Sequence, residues 1–202
     1  MMMCRCGWVS EDPLYIDYHD HEWGVPVFEA DRLFEFLVLE GAQAGLSWIT
    51  VLKKRARYRE VFEGFDSEVI ARWGVDKVEW LMKDPGIIRN RAKIESAIGN
   101  ARAWRALVEE GVDPVAWLWS FIGGQARQNA WRTLSEVPAS TAESEEMSRA
   151  LRKRGFRFVG PTICYAFMQA VGMVNDHTVD CFRHMEVARL GPPPSAPLSA
   201  RE

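Results

Sequence analysis

Cysteine is scarce in this chain, with four in 202 residues, and histidine and tyrosine number only four each. So few cysteines exclude a disulfide-dense scaffold, and a chain of this length is long enough to bury one ordinary core of its own. No run of roughly 18 uncharged apolar residues exists to span a bilayer, and the opening Met1-Met2-Met3-Cys4-Arg5-Cys6 lacks the apolar stretch of a signal peptide. These absences lead us to expect a cytoplasmic protein without a membrane partner, its thiols kept reduced and available for metal or burial. An excess of positive charge is missing too: 25 Lys and Arg against 28 Asp and Glu leave −3. That balance disfavours a nonspecific nucleic-acid coat but leaves room for a local basic face. Tryptophan is what the chain has in abundance, nine in all. Aromatic rings either fill a core or stack on something flat.

Alternating, strand-like runs are rare and helical periodicity dominates, which predicts an all-α fold. A helix is predicted from Asp31, as its N-cap, through Leu33, Phe34, Phe36, Leu37 and Val38 towards Gly41. Others are expected from Ala92 to Val108 and from Ser144 to Lys153, with a further one opening at Gly160-Pro161, where proline suits the first turn. Gly155 to Gly160 then forms a short connection between two helices. Asp84-Pro85-Gly86, Gly111 to Pro114 and Gly123-Gly124 read as turns, each followed by renewed helix. Proline and small polar residues dominate the tail, which we expect to be disordered.

Cys6 is followed thirteen positions later by His19, and His177 four positions later by Cys181. An i, i+4 spacing predicts His177 and Cys181 on one helical face. Two thiolates with two imidazoles suit tetrahedral zinc in a closed, structural site that staples the N-terminal segment to a late helix. Spacing alone leaves Cys4 and His21 as competing ligands and a plain buried core as the alternative. Glu40 falls between Leu33, Phe36 and Leu37 on the face that should be buried, where a carboxylate is costly unless compensated. It reads either as a partner for an arginine or as the lining of a pocket. Trp8, Tyr15, Tyr18, Trp23 and Trp48 crowd the first quarter of the chain; Trp73, Trp80, Trp104, Trp117, Trp119 and Trp131 are assigned to helical core. From Arg149 to Asn175 the chain carries Arg149, Arg152, Lys153, Arg154 and Arg157 and no acidic residue. This run adjoins a turn and a helix N-terminus, where free N–H groups favour a phosphate.

Arg5-Cys6-Gly7-Trp8, Asp12-Pro13-Leu14-Tyr15, Tyr18-His19-Asp20, Glu22-Trp23-Gly24-Val25-Pro26 and the stretch Leu39 to Leu52 resemble the bacterial 3-methyladenine DNA glycosylase I family. Gly86-Ile87-Ile88-Arg89, Lys153-Arg154-Gly155-Phe156, Phe158-Val159-Gly160, Ile163-Cys164-Tyr165 and Val174-Asn175-Asp176-His177 continue the resemblance in order. It implies a helix-hairpin-helix fold over residues 1–189 as one glycosylase unit, two helical lobes with a base pocket between them, and a disordered tail at 190–202. One structural zinc held by Cys6, His19, His177 and Cys181 is implied as well. The implied substrate is double-stranded DNA containing 3-methyladenine, and the free base is the product ligand of a monomeric enzyme. The damaged base is expected between Glu40, Tyr18 and Trp48, with Trp8 and Tyr15 beside them and Glu40 as the catalytic candidate. Leu46, at the tip of Gln43-Ala44-Gly45-Leu46, resembles the residue that probes the base stack. Gly155, Gly160, Arg154, Arg157 and Thr162 are expected to meet the DNA backbone around the hairpin.

Departures from the wider superfamily carry their own implications. Asn175 stands where many relatives place an aspartate, so base recognition and leaving-group quality are expected to supply most of the catalysis. Thr162 stands where bifunctional relatives carry a Schiff-base lysine, which implies a monofunctional glycosylase that leaves an abasic site. Phe158 occupies a position often held by glycine. A binding module that has lost activity and a hydrolase with zinc at its reaction centre are the competing readings. Against them stand the buried carboxylate among aromatics and a ligand set that leaves no place for water.

Overall fold

The computed structural model describes residues 4–190, so the tail expected to be disordered lies, apart from Leu190, outside the described residues. Eleven α-helices follow one another: α1 Pro13–His21, α2 Ala30–Gln43, α3 Trp48–Leu52, α4 Arg55–Val61, α5 Ser67–Ala71, α6 Val75–Leu81, α7 Arg91–Glu109, α8 Pro114–Ser120, α9 Ala142–Lys153, α10 Pro161–Ala170 and α11 Phe182–Ala188. A parallel pair of two-residue strands, Arg127–Gln128 with Val174–Asn175, is the strand content of the described residues.

Local chemistry explains most of the helix starts. Asp12, Asn90 and Asp113 each accept a hydrogen bond from a backbone N–H in the first turn, and Pro13, Pro114 and Pro161 fit where no N–H is needed. Thr141 and Ser144 form a reciprocal capping box at α9. Helix α2 differs from expectation: its N-cap is Glu29, whose side chain makes no capping bond, and Asp31 sits one step inside the helix, where its charge favours the positive end of the dipole. From Leu33 to Ala42 this helix is buried all round, so it is the central post of the fold rather than an amphipathic surface helix.

Helix α10 packs on α9 and on α2, and α7 packs along α5. At Gly41 a Cβ would lie 3.2 Å from the Cβ of Phe158, so the glycine lets the α9–α10 connection rest directly on α2. Phe158 has φ 55, the left-handed conformation that the expected glycine would adopt freely, and Gly155 has φ 88. The hairpin backbone therefore keeps its left-handed residue despite the side chain.

Three expectations need correction. His177 and Cys181 lie in a turn before α11, with Cys181 as its N-cap, and not on one helical face. After Gly124 the chain does not return to α-helix until Ala142; apart from the strand Arg127–Gln128 and a single 3-10 turn, residues 125–141 run irregularly, because paired glycines and later Pro138 deny the segment a helical register. Among the tryptophans assigned to helical core, Trp104 and Trp119 are buried, whereas Trp80 is 47% exposed and Trp131 sits in the irregular segment, donating to Asp176. Trp73 is half-buried just past α5, and Trp117 is half-buried on α8.

Gly172 adopts φ +70 beneath the crossing of residues 24–26, where a Cβ would lie 2.4 Å from the backbone N of Pro26. Gly172→Ala is expected to destabilise the protein by about 3 kcal/mol or more, since neither strand of backbone can yield. Urea unfolding of the two proteins side by side measures the loss.

Candidate base-binding cavity and metal cluster

Four side chains separated widely in sequence meet in one buried cluster. One ligand atom from each of Cys6, His19, His177 and Cys181 lies within 4.8 Å of every other. Cys6 Sγ is 3.5 Å from His177 Nδ1, Cys181 Sγ is 3.5 Å from His19 Nε2, and Cys181 Sγ is 3.6 Å from His177 Nδ1. A tetrahedral ion with Zn–S about 2.3 Å and Zn–N about 2.0 Å sets S···N edges of roughly 3.5 Å, so the donor set has the size of such a site. The remaining ring nitrogens are already committed. His19 Nδ1 lies 2.7 Å from Asp20 Oδ1, and His177 Nε2 lies 3.1 Å from the Trp23 carbonyl oxygen. Each imidazole thereby donates its proton outward and turns its lone pair inward, as metal-ligating histidines do. Arg5 in turn holds Asp20 through its guanidinium. Cys4 and His21, the competing ligands, are exposed and bond Asp180 and Asp17 instead.

The cluster is also a wall. Trp23 meets the His177 ring edge-on at 4.7 Å, and Trp8 meets Trp23 at 4.9 Å and His19 at 5.3 Å. On their other side opens a cavity of about 340 Å³, lined by Trp8, Tyr15, Tyr18, Trp23, Glu40, Trp48 and Asp176 among others. Its volume suits a small flat ligand. Sequence reasoning left Trp23 undecided; the cavity and the cluster share it.

Helix α1 presents Tyr15 and Tyr18, α2 presents Glu40, and Trp48 opens α3, so three consecutive elements converge on the space. Tyr18 and Trp48 lean together at 5.4 Å. The indole Nε1 atoms of Trp8 and Trp48 are buried without a hydrogen-bond partner among the described residues. Burial pushes the Tyr18 phenol well above its ordinary range, so it remains a neutral O–H.

Glu40 is 3% exposed. No protein donor bonds its carboxyl, and burial pushes its pKa up to about 8 while Arg55 pulls the other way. The pocket reading of Glu40 is the one that the geometry fits. The arginine reading belongs to its neighbour Glu35, which Arg55 and Arg59 hold at 2.6 and 2.8 Å.

Asp176 is a residue that sequence reasoning passed over in favour of Asn175. Its Oδ1 accepts from Asn129 and Trp131, at 2.6 and 2.8 Å, and its Oδ2 from Tyr165 and Gln169, at 2.7 and 2.8 Å. All its acceptor capacity is used, so it anchors the irregular segment to α10 at the cavity margin. Asn175 donates to Gln128 and to the His184 carbonyl and is absent from the cavity lining. The hint in the sequence was the acidic residue directly after Asn175 beside a metal ligand.

A second hollow of about 200 Å³ adjoins the first, sharing Glu40, Gln43 and Ala166 with it, and is lined by Gly45, Leu46 and Thr162 as well. Leu46 stands 41% exposed at the tip of its loop, and Gly45 has φ +77. Gly160 caps α10, Gly155 and Arg157 are exposed on the preceding connection, and Thr162 is exposed on the first turn of α10. Arg154 faces elsewhere: it pairs with Glu110 at 2.7 Å and lies over Trp117. Among the described residues no helix is long and apolar enough to cross a membrane.

Comparison with known proteins places this geometry among relatives. DNA-3-methyladenine glycosylase 1 of Escherichia coli is 56% identical over 179 residues, covering 89% of this chain and 96% of that protein. A crystal structure of 3-methyladenine DNA glycosylase I superposes with a TM-score of 0.88 at 54% identity, covering 89% of this chain and 98% of that one. The 3-methyladenine DNA glycosylase I of Staphylococcus aureus, solved to show how it recognises 3-methyladenine, superposes at 0.84 with 33% identity over 89% and 95% of the two chains. The methyladenine glycosylase family model matches residues 8–184, which include all four residues lining the metal cluster except Cys6 and every residue of the aromatic cavity. On this sequence match and these superpositions the chain belongs to the methyladenine glycosylase family.

Proposed function

We propose that this protein excises 3-methyladenine from alkylated double-stranded DNA, hydrolysing the N-glycosidic bond and leaving an abasic site. The observation that carries this reading is Glu40: a buried carboxyl without a protein partner, facing an aromatic cavity whose two indole N–H groups also lack partners. Methylation at N3 makes the adenine ring cationic. A cation stacked on Trp48 and beside Glu40 gains from both the ring quadrupole and the carboxylate, while ordinary neutral adenine gains from neither charge term. The flipped base enters by unstacking, the task we assign to Leu46.

In the reaction the C1′–N bond breaks and its electron pair stays with the base, which departs neutral. Water adds to C1′ and releases a proton. The base is thus a good leaving group without protonation; Glu40 binds the cationic ring before the bond breaks, which confers selectivity, and assists the chemical step only through the positive charge that develops on the sugar. No lysine lines the cavity, in keeping with a monofunctional enzyme without lyase chemistry. Asp176, with four donors on it, has no lone pair left to activate water and serves to fix the wall.

We assign the hairpin of the helix-hairpin-helix motif to the connection between α9 and α10, where Gly160 and the first N–H groups of α10 can face a phosphate. Arg157 and Thr162 flank that end, whereas Arg154 serves the α7–α8 face. The described residues form one glycosylase unit, working as a monomer, with the cavity between the α1–α3 lobe and the α10 lobe. We assign zinc to the Cys6, His19, His177 and Cys181 cluster. Bound there, it supplies a closed cross-link and no position for water. Reduced thiols of this kind suit a cytoplasmic location.

Three outcomes test the reading. The free-enzyme profile of kcat/KM on alkylated DNA is expected to rise with pH through about 8, as the Glu40 carboxylate forms, and Glu40→Gln is expected to abolish that limb together with most of the excision. The same substitution tests the cost of the group. A carboxyl whose folded pKa lies above its unfolded value binds more protons folded than unfolded, so its penalty is absent below about 4, grows as pH rises towards 8, and reaches about 3 kcal/mol at pH 7. Urea unfolding should therefore show Glu40→Gln gaining stability over the parent at pH 8 but not at pH 4. Elemental analysis should find one zinc per chain, and Cys181→Ser should lose it and lower the melting temperature by about 10 °C or more.

A further inference from the structure

Lys93 has no part in the cavity, yet its ammonium reaches from α7 to the far end of α2. Its Nζ donates to the carbonyl oxygens of Ala42 at 2.8 Å and Ala44 at 2.7 Å. Those carbonyls belong to the C-terminal end of α2, which carries partial negative charge and has no basic residue of its own in its last turn. Ala44 is also the second residue of the turn that projects Leu46, closed by a bond from Leu46 N to the Gln43 carbonyl. The charge on Lys93 thus does two things at once: it caps the central helix, and it fixes the stem of the Leu46 loop.

Two turns along the same face of α7, Asn100 does the equivalent for the hairpin. Its Oδ1 accepts from the N–H of Arg157 at 2.8 Å, and its Nδ2 donates to the Arg157 carbonyl at 3.0 Å. A spacing of seven residues puts Lys93 and Asn100 on one side of the helix. Helix α7 therefore braces both the Leu46 loop and the α9–α10 connection, while Gly41 lets that connection sit against α2.

We propose that Lys93 is a positioning residue for base eversion: it holds the Leu46 loop preformed, at a fixed spacing from the hairpin that Asn100 secures, so that insertion of Leu46 costs no loop ordering. This rests on the assignment of Leu46 to probing the base stack. A preformed loop matters only while a stacked base must be displaced. Lys93→Met keeps the length of the side chain and removes the donors.

The test compares excision from alkylated duplex and alkylated single-stranded oligonucleotides, together with the affinity for free 3-methyladenine, in the parent, Lys93→Met, Leu46→Ala and the double variant. Lys93→Met is expected to lower kcat/KM on duplex about tenfold while leaving the single-strand rate and the free-base affinity within about twofold. The double variant is expected to be no worse on duplex than Leu46→Ala alone, because both changes act on one step. Equal losses on the two substrates, additive losses in the double variant, or an unaffected duplex rate with Lys93→Met would each overturn the proposal. A Leu46→Ala variant with full duplex activity would instead remove the Leu46 assignment, and the proposal with it. Should Lys93→Met fail to fold, Lys93→Leu, which also lacks any donor, gives the same contrast.

Discussion

Everything about the cavity depends on the meeting of residues 6–25 with residues 171–182. The buried Cys6, His19, His177 and Cys181 cluster holds that meeting, with the Gly172 crossing below it. Two of the cavity's aromatic rings, Trp8 and Trp23, pack on the imidazoles, so the orientation of the ligands fixes the orientation of the walls. Cys6 illustrates why the cluster could hold a cation. Its thiol is pushed up by the neighbouring sulfur of Cys181 and by burial, and two adjacent buried sulfurs become thiolates together only when a positive ion sits between them.

Helix α2 shows how the fold separates structural charge from functional charge. Glu35 and Glu40 are both buried on the same helix. Burial raises Glu35, but the guanidiniums of Arg55 and Arg59 outweigh it and hold the carboxyl below its usual range. Arg55 is itself shared with Glu22 and lies over Phe36, which satisfies the network internally. Glu40 is given no such partner. A carboxyl left unpaired in the core destabilises the resting protein. On the reading proposed above, a cationic ligand relieves that cost, and the site draws part of its selectivity from it.

The mostly helical architecture was legible in the sequence because periodicity marks α7 and α9 and Pro161 marks the start of α10, while the caps Asn90 and Thr141 start α7 and α9 at Arg91 and Ala142, ahead of the expected Ala92 and Ser144. The burial of Glu40 was legible from a projection of α2 alone. What could not be read was set by long-range contacts. Cys181 lies a turn away from His177 by sequence, yet the turn that joins them is irregular, and a four-residue spacing is equally compatible with helix and loop. Trp80 and Trp131 look alike as hydrophobic residues, but only packing decides that one faces solvent and the other donates to Asp176. Arg154 belonged to a basic run, and its partner Glu110 sits on a different helix, 44 residues away.

That last pairing bears on how a protein of net charge −3 handles a polyanion. With Arg154 neutralised by Glu110, and Arg127 by Glu143 at 2.6 Å, the hairpin region has less free positive charge than its sequence suggests. With the hairpin assigned to phosphate as proposed above, that contact would fall more heavily on backbone N–H groups at the start of α10 and on exposed cations beside them, such as Arg157. Few neutralised phosphates mean weak, shallowly salt-dependent binding to undamaged DNA. For an enzyme that must pass over normal bases to find a rare cation, weak general affinity is an advantage. On the reading proposed above, discrimination rests instead on the cavity that Glu40, Tyr18 and Trp48 line.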